Sequence, residues 1–357
     1  MNELIQEGYV KESADQSEPL EAISSGRKAV FLEVRTDNYF TIGVYISRDY
    51  ATVILSNLKC EILLEKKCVF SFEESDETFV SKLKVLVYEM INSDYAKEKK
   101  IMAIGISSIG PVDCVRGIIL DPPNFHRLKS IPIKQIFEEE FKLKVFIDND
   151  MNASAIAEKF YGSGKNLSNF VYVGVTNGIG AGIITNSVLY QGDRGFGGEI
   201  GHISINFEGP DCVCGNKGCL ELYASIPETV KQAKSAISLG MESSLSKIVD
   251  LEWKDIVDAA KQGDKLAVNL IEKLCLYISI GVISICNIFD PQKIYLGHDI
   301  AHGGELVTEK ILSNISGKTI SSKYKTIPIE ISKFIDKAPI IGSVAIVLEH
   351  LFNGEVG

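Results

Sequence analysis

The sequence predicts an α/β protein built as two lobes around a cleft, and three observations lead there. At 357 residues the chain exceeds the usual size of a single hydrophobic core. Strand-like and helix-like patterns alternate along its length, as in layered α/β architectures. A β-β-β-α-β-α order occurs before about residue 150 and a similar order returns after residue 170. No shorter repeat is present, so duplication into two lobes is the reading.

Composition suits a packed protein, with 45% hydrophobic and 24% charged residues. A net charge of -10 excludes broad, non-specific attraction to nucleic acid or to an anionic membrane. The N-terminal MNELIQEGYVKESADQ lacks the basic and apolar segments of a signal peptide, and no uninterrupted apolar run reaches about 18 residues. A cytoplasmic protein with no membrane partner is expected.

Along the chain, residues 11–27 are polar, acidic and Ser-rich, the composition of a linker or mobile loop. From Phe40 to Phe72 the pattern alternates, and turn residues at Ser47-Arg48-Asp49 and Ser56-Asn57 divide it into a three-stranded antiparallel meander. Val80, Leu83, Val87 and Met90 recur at helical spacing, while IMAIGIS and KVFID are buried strands on either side of a helix in IPIKQIFEEEF. Beyond residue 170, FVYVGVT, GAGIITN and VLYQG are strands, a helical region covers about 265–288, and KIYLG is another strand. The apolar surface of that helix serves the core and could also serve a subunit interface. The closing SVAIVLEHLF is an amphipathic helix. The expected units are an appendage at 1–37, a first lobe at 38–148, a larger second lobe at 149–337, and a helix at about 338–353 able to pack back on the first lobe.

Cys60, Cys68, Cys114, Cys275 and Cys286 are scattered among apolar residues, where reduced cysteine behaves as a small hydrophobe. Residues 199–221, EIGHISINFEGPDCVCGNKGCLE, are different. Cys212, Cys214 and Cys219 lie on a Gly-containing turn, and three thiolates with His202 as the nearby fourth donor suit a tetrahedral Zn²⁺. The alternative is a chance cluster of thiols. Four protein ligands leave no open position for water, so the ion would be structural and would hold a loop carrying Glu199 and Glu221. Taken alone, either carboxylate could be a solvated surface acid.

Glu199-Ile-Gly-His202 and CVCGNKGCLE, preceded by GVTNGIGAGIITNSVLYQGDRGFGGEIGH, resemble the signature of the ROK family of repressors, open reading frames and sugar kinases. The resemblance extends from about residue 27 to the C-terminus. It implies the two-lobed, actin-like sugar-kinase (Hsp70-type) fold with a structural zinc loop, and assembly as a homodimer or homotetramer. It also implies a monosaccharide held by Asn124 of a Pro123-Asn124 pair, by Asn149 and Asp150 of FIDNDMNASAIAE, and by Glu199, His202 and Glu221. Those types suit a neutral polyol, because carboxylates accept from hydroxyls and an amide both donates and accepts. In family kinases the Asp matching Asp150 takes the proton of the attacking hydroxyl. Asp150 and Asn152 could instead merely cap the following helix.

The family's nucleotide motifs are altered. Where its kinases carry an Asp-x-Gly-Gly-Thr-like turn, this chain has Tyr45, Ser47, Arg48 and Asp49, which place side chains and a negative charge where phosphate should approach backbone amides. The later glycine run is YLGHDIAHGG, with His298 and Asp299 intruding; Asn177 stands for a usual Thr, and Ile109 for a usual Pro. Gly178, Gly180, Gly182 and Gly297 are expected to mark a vestigial nucleotide region. No nucleotide cofactor is expected.

The chain looks most like the family's sugar-responsive regulators, of the xylose repressor and N-acetylglucosamine repressor type. Its first 35 residues resemble the end of a winged helix-turn-helix: a helix end at Leu4-Ile5, a strand at Gly8-Tyr9-Val10, a wing, and a Gly26-Arg27-Lys28 join. The part that would read bases is missing, and Lys11, Arg27 and Lys28 are too few to grip phosphates. Operator DNA is therefore expected as a partner only of a longer chain. The leading expectation is a non-catalytic, sugar-sensing regulator body. The alternative is an ATP-dependent hexose or N-acetylhexosamine kinase using Mg-ATP, and a third reading is a purely structural interaction protein.

Overall fold

A computed structural model describes residues 5–13, 31–71, 74–121 and 130–354. Strands β1 (Val10–Glu12) and β2 (Leu32–Val34) pair antiparallel, with Val10 opposite Val34. Tyr9 stacks on Tyr39 with ring centroids 4.4 Å apart, which joins this ribbon to the body. The expected wing, with Arg27 and Lys28, and Leu4 lie outside the described residues.

The first sheet begins with β3 (Tyr39–Ile46), β4 (Tyr50–Asn57) and β5 (Ile62–Val69), the expected meander. Its second turn falls later than the sequence suggests. Ser56 and Asn57 end β4, and the Asn57 side chain accepts the Lys59 and Glu61 amides at 3.0 and 3.1 Å, so Asn57 braces the turn from its first corner. Helix α1 (Asp76–Ile91) starts where Ser75 Oγ accepts the Thr78 amide at 3.3 Å. Then come β6 (Lys100–Ser108), the short pair β7 (Val112–Asp113) and β8 (Ile118–Ile119), α2 (Ile133–Phe141) and β9 (Lys144–Asn149). The sheet order is β5-β4-β3-β6-β9, antiparallel on one side of β3 and parallel on the other. Phe79, Leu83 and Met90 of α1 and Phe137 of α2 bury fully against Ile42, Val44 and Ile104. Truncating such a side chain to Ala costs about 2–5 kcal/mol.

After α3 (Asp150–Phe160) the second sheet repeats the plan with β10 (Phe170–Val175), β11 (Ile179–Thr185) and β12 (Val188–Leu189). Four helices follow: α4 (Glu221–Ala224), α5 (Ile226–Ser238), α6 (Trp253–Lys261) and α7 (Lys265–Phe289). The chain then forms β13 (Lys293–Gly297), α8 (Glu305–Ile315), β14 (Ile329–Ile331) and α9 (Ala338–Phe352). The order is β12-β11-β10-β13-β14, again antiparallel then parallel. Helix α7 is long and apolar enough to cross a membrane by length and composition alone. Here it packs against α5, α6 and α8, burying Leu274, Ile278 and Val282, while Leu276, Ile280 and Ile288 remain exposed.

Two mixed sheets with flanking helices make the bilobal fold of actin and the sugar kinases. Helix α9 returns to the first sheet, packing on β6 and β3, and also lies along α3. Its approach needs glycine in IMAIGIS, because a Cβ on Gly105 would stand 1.8 Å from the Ser343 carbonyl oxygen.

Candidate metal centre and ligand cleft

Between β11 and α4 the chain folds back on itself through bridges Ser204–Cys219 and Asp211–Lys217. The Cys212 amide donates to the Asn216 carbonyl at 2.8 Å and the Gly215 amide to Cys212 at 3.0 Å, a tight turn that brings the cysteines together. The ligand atoms of His202, Cys212, Cys214 and Cys219 all lie within 4.8 Å of one another. Cys212 Sγ is 3.6 Å from His202 Nδ1, and Cys214 Sγ is 3.6 Å from Cys219 Sγ. Bonds of about 2.3 Å to sulfur and 2.05 Å to nitrogen at tetrahedral angles require about 3.8 Å between sulfurs and about 3.6 Å from sulfur to nitrogen. The donor set therefore fits zinc. Burial, then the neighbouring thiols, pushes Cys219 up to about 12, so a thiolate there requires a compensating cation.

The centre carries the carboxylates with it. Glu221 Oε1 lies 3.4 Å from His202 Nδ1 and 3.5 Å from Cys212 Sγ. Partial desolvation raises Glu199, which keeps solvent access; His202 opposes that shift and the Glu221 charge adds to it. Glu199 in turn faces the start of α3. A Cβ on Gly110 would stand 2.8 Å from Asn149 Nδ2 and 3.6 Å from Glu199 Oε1, so the β6–β7 turn lies against both.

Asn149 caps α3, its Oδ1 accepting the Met151 amide at 2.9 Å. The capping alternative for Asp150 and Asn152 is thereby corrected: both lie inside the helix, and the cap is the residue before them. Asp150 is 4% exposed, and burial, then the Glu199 charge, raises its carboxyl to about 7. Asn149, Asp150, Glu199, His202 and Glu221 thus share one region. Asn124, with Pro123, lies outside the described residues.

Sequence reasoning missed Asp148. Buried beneath Asn149, it accepts from Asn152 Nδ2 at 2.8 Å, Gln191 Nε2 at 2.6 Å, the Asn149 amide at 2.7 Å and Cys114 Sγ at 3.3 Å. Gln191 begins the segment that leads to Glu199, so this carboxylate ties the two halves of the site. A carboxylate at the end of an otherwise apolar strand was the available signal.

Three of the four marker glycines have packing roles. Gly182 admits α3 against β11, since a Cβ there would be 2.2 Å from the Met151 carbonyl oxygen; Gly180 also faces Met151, and Gly297 faces the Tyr172 hydroxyl. Gly178 alone stands beside a site residue, 3.4 Å from Glu221 Oε2 at its Cβ position.

Next to this region, a cavity of about 940 Å³ opens between the sheets. Its lining includes Tyr45, Asp49, Tyr50, Trp253, His298, Asp299 and Asp336, with Lys231, Lys234 and Lys254 contributed by α5 and α6. The Tyr45 and Tyr50 rings meet edge to face at 5.9 Å. Burial, then Asp150 and Tyr50, raises Tyr45, so that ring stands at the boundary between Asp150 and the cavity. Asp299 accepts from Thr176 Oγ1, and its carbonyl accepts from Trp253 Nε1 at 2.8 Å. Burial lowers His298 to about 4 and keeps it neutral.

This architecture and donor set define the class: the chain belongs to the ROK family, whose profile matches residues 41–350. Among individual relatives, it is 32% identical over 355 residues to the xylose repressor of Caldicellulosiruptor bescii, covering 99% of this chain and 88% of that one. The structure of a ROK family transcriptional regulator, a homologue of the Escherichia coli MLC protein, superimposes with a TM-score of 0.87 at 30% identity, covering 99% of this chain and 88% of the other. A ROK family glucokinase from Streptomyces griseus, solved with glucose and AMPPNP, gives a TM-score of 0.76 at 27% identity, with coverage of 85% and 98%. Relatives of this chain therefore include both repressors and kinases.

Proposed function

We propose that this protein is the sugar-sensing body of a ROK transcriptional regulator and transfers no phosphate. Its ligand is a monosaccharide, bound in the cleft by Asn149, Asp150, Glu199, His202 and Glu221, with Asn124 as a further partner. The observation that carries this reading is the convergence of those groups on the His202–Cys212–Cys214–Cys219 centre, beside a cavity whose turn presents Tyr45 and Asp49. A structural zinc at that centre would immobilise the loop and supply no open coordination position. With Nδ1 turned to the thiols, His202 keeps Nε2 for a hydroxyl, while Glu199 and Glu221 accept from neighbouring hydroxyls. Asp150, held near neutrality by burial, accepts most strongly once ionised.

Binding would favour one angle between a first lobe at 38–148, to which the helix at 338–353 returns, and a second at 149–337. That coupling requires different sugar affinity in the two arrangements. In a longer chain with a complete helix-turn-helix, the same change would act on operator DNA. We place the protein in the cytoplasm as a homodimer or homotetramer, in which the exposed Leu276, Ile280 and Ile288 of α7 offer an interface.

A sugar kinase remains the second reading, favoured by Asp150 at about 7, suited to a general base, and by the likeness to a glucokinase. Titration calorimetry with a monosaccharide panel in the presence of Mg-ATP separates the two. Heat that ends at saturation supports the sensor; sustained heat accompanied by sugar phosphate overturns it.

A further inference from the structure

We infer that residues 191–198 form a clasp: reaching from the second proposed lobe, the segment seats Gly195 on Cys114 of the first and so positions Glu199 for the ligand. The inference deepens the proposed function and rests on it for the sugar alone. Both ends of the segment are fixed. The Gly197 amide donates to the Gln191 carbonyl at 3.0 Å, and the Ala181 amide of β11 donates to the Gly198 carbonyl at 2.8 Å. Glu199 follows directly, so whatever seats the segment also places that carboxylate.

The middle of the segment crosses to β7. Gly195 is buried at a φ of +92°, and a Cβ on it would stand 2.5 Å from Cys114 Sγ and 3.4 Å from the Val112 carbonyl oxygen. Glycine alone meets both conditions. The same thiol donates to Asp148 Oδ1 at 3.3 Å, and Asp148 Oδ2 accepts from Gln191 at 2.6 Å. Two adjoining contacts therefore hold one short loop across the lobes. A rotation that parts them must also shift Glu199 relative to Asn149, the neighbour of Asp148. Cys114 supplies the reporter as well: burial, then Asp148, raises its thiol, so in the seated clasp it stays protonated and slow toward an alkylating reagent.

The test follows N-ethylmaleimide labelling of the full chain without sugar, resolved cysteine by cysteine with peptide mass spectrometry. Gly195→Ala should speed labelling of Cys114 about tenfold and Gln191→Ala at least about threefold, as expected for loss of a contact or one hydrogen bond. Cys275, fully buried in the other lobe, should keep its wild-type rate. Gly240→Ala controls for backbone strain, because Gly240 has a φ of +90° with nothing within 4 Å of its Cβ position; it should leave Cys114 unchanged. Gln191→Ala keeps the test decisive if Gly195→Ala fails to fold. Wild-type Cys114 reacting as fast as in the urea-unfolded chain, no acceleration in the folded variants, or equal acceleration of Cys275 would each overturn the clasp. A monosaccharide that binds in calorimetry should slow Cys114 labelling and bind Gly195→Ala about tenfold more weakly; binding with neither effect would overturn the positioning of Glu199. A panel without any binding sugar would sink the proposed function instead, and the sugar-free labelling would still decide the clasp.

Discussion

The two sides of the cleft contrast in what they present to a ligand. Around Asp150, carboxylates, an amide and an imidazole converge and are braced from behind by the cysteine turn and by Asp148. Around Tyr45, the turn presents Ser47, Asp49 and Tyr50 to a cavity that Asp299 and Asp336 line together with Lys231, Lys234 and Lys254. Rigid polar convergence suits recognition of a neutral polyol, whereas a turn without glycine offers a phosphate few bare amides. On the proposed reading, one fold retains half of an enzyme's cleft and turns it to sensing.

The strongest way to break this contrast is to remove the support of the first side. Cys219→Ser should abolish metal retention, measured as one zinc per chain falling to none by atomic emission. Sugar affinity should fall by about 100-fold and melting temperature by several degrees. Unchanged affinity in the metal-free variant would detach the loop from binding.

Asp150→Asn should come next, weakening sugar binding by roughly 10- to 100-fold, as expected for loss of a charge-assisted hydrogen bond. The same change should stabilise the unliganded protein. Because the folded carboxyl sits at about 7 against an ordinary value of 3.8, the native state binds more protons between those values. The wild type thus loses stability as pH rises from about 4 to 7, and the cost is complete above 7. Thermal melts should show Asp150→Asn gaining on the order of a few kcal/mol at pH 8 and almost nothing at pH 4.

A smaller effect should sharpen the other side. Replacing Tyr45→Asp, Ser47→Gly, Arg48→Gly and Asp49→Thr together should raise Mg-ATP affinity about tenfold in calorimetry while sugar affinity stays constant. Loss of sugar affinity would show that the two sides are not separable. The mildest change, Gln191→Ala, removes one bond to buried Asp148. It should cost about 1–2 kcal/mol of stability and about threefold in sugar affinity, read by denaturation and titration.

Much of the fold was legible because its signals are local. The β3–β4–β5 meander, α1 and α7 follow from alternation and helical spacing, and the second turn falls later because Ser56 and Asn57 still pair within β4, Asn57 bracing the turn from its first corner. Helices α5, α6 and α8 went unread, since they are short and their apolar faces are interrupted by Lys, Ser and Asp.

The metal donors were legible for a similar reason: three of them occupy eight consecutive residues, so chain geometry alone brings them together. Sequence by itself determined the repeated strand and helix order, the cysteine turn, and the residue types available to a polyol. Only tertiary structure decided that Asp150 is buried beside Glu199, that Asp148 and Gln191 join across 43 positions, and that Tyr45, His298 and Asp336 surround one cavity. Desolvation and long-range hydrogen bonding depend on what packs around a group, and neighbours along the chain do not specify it.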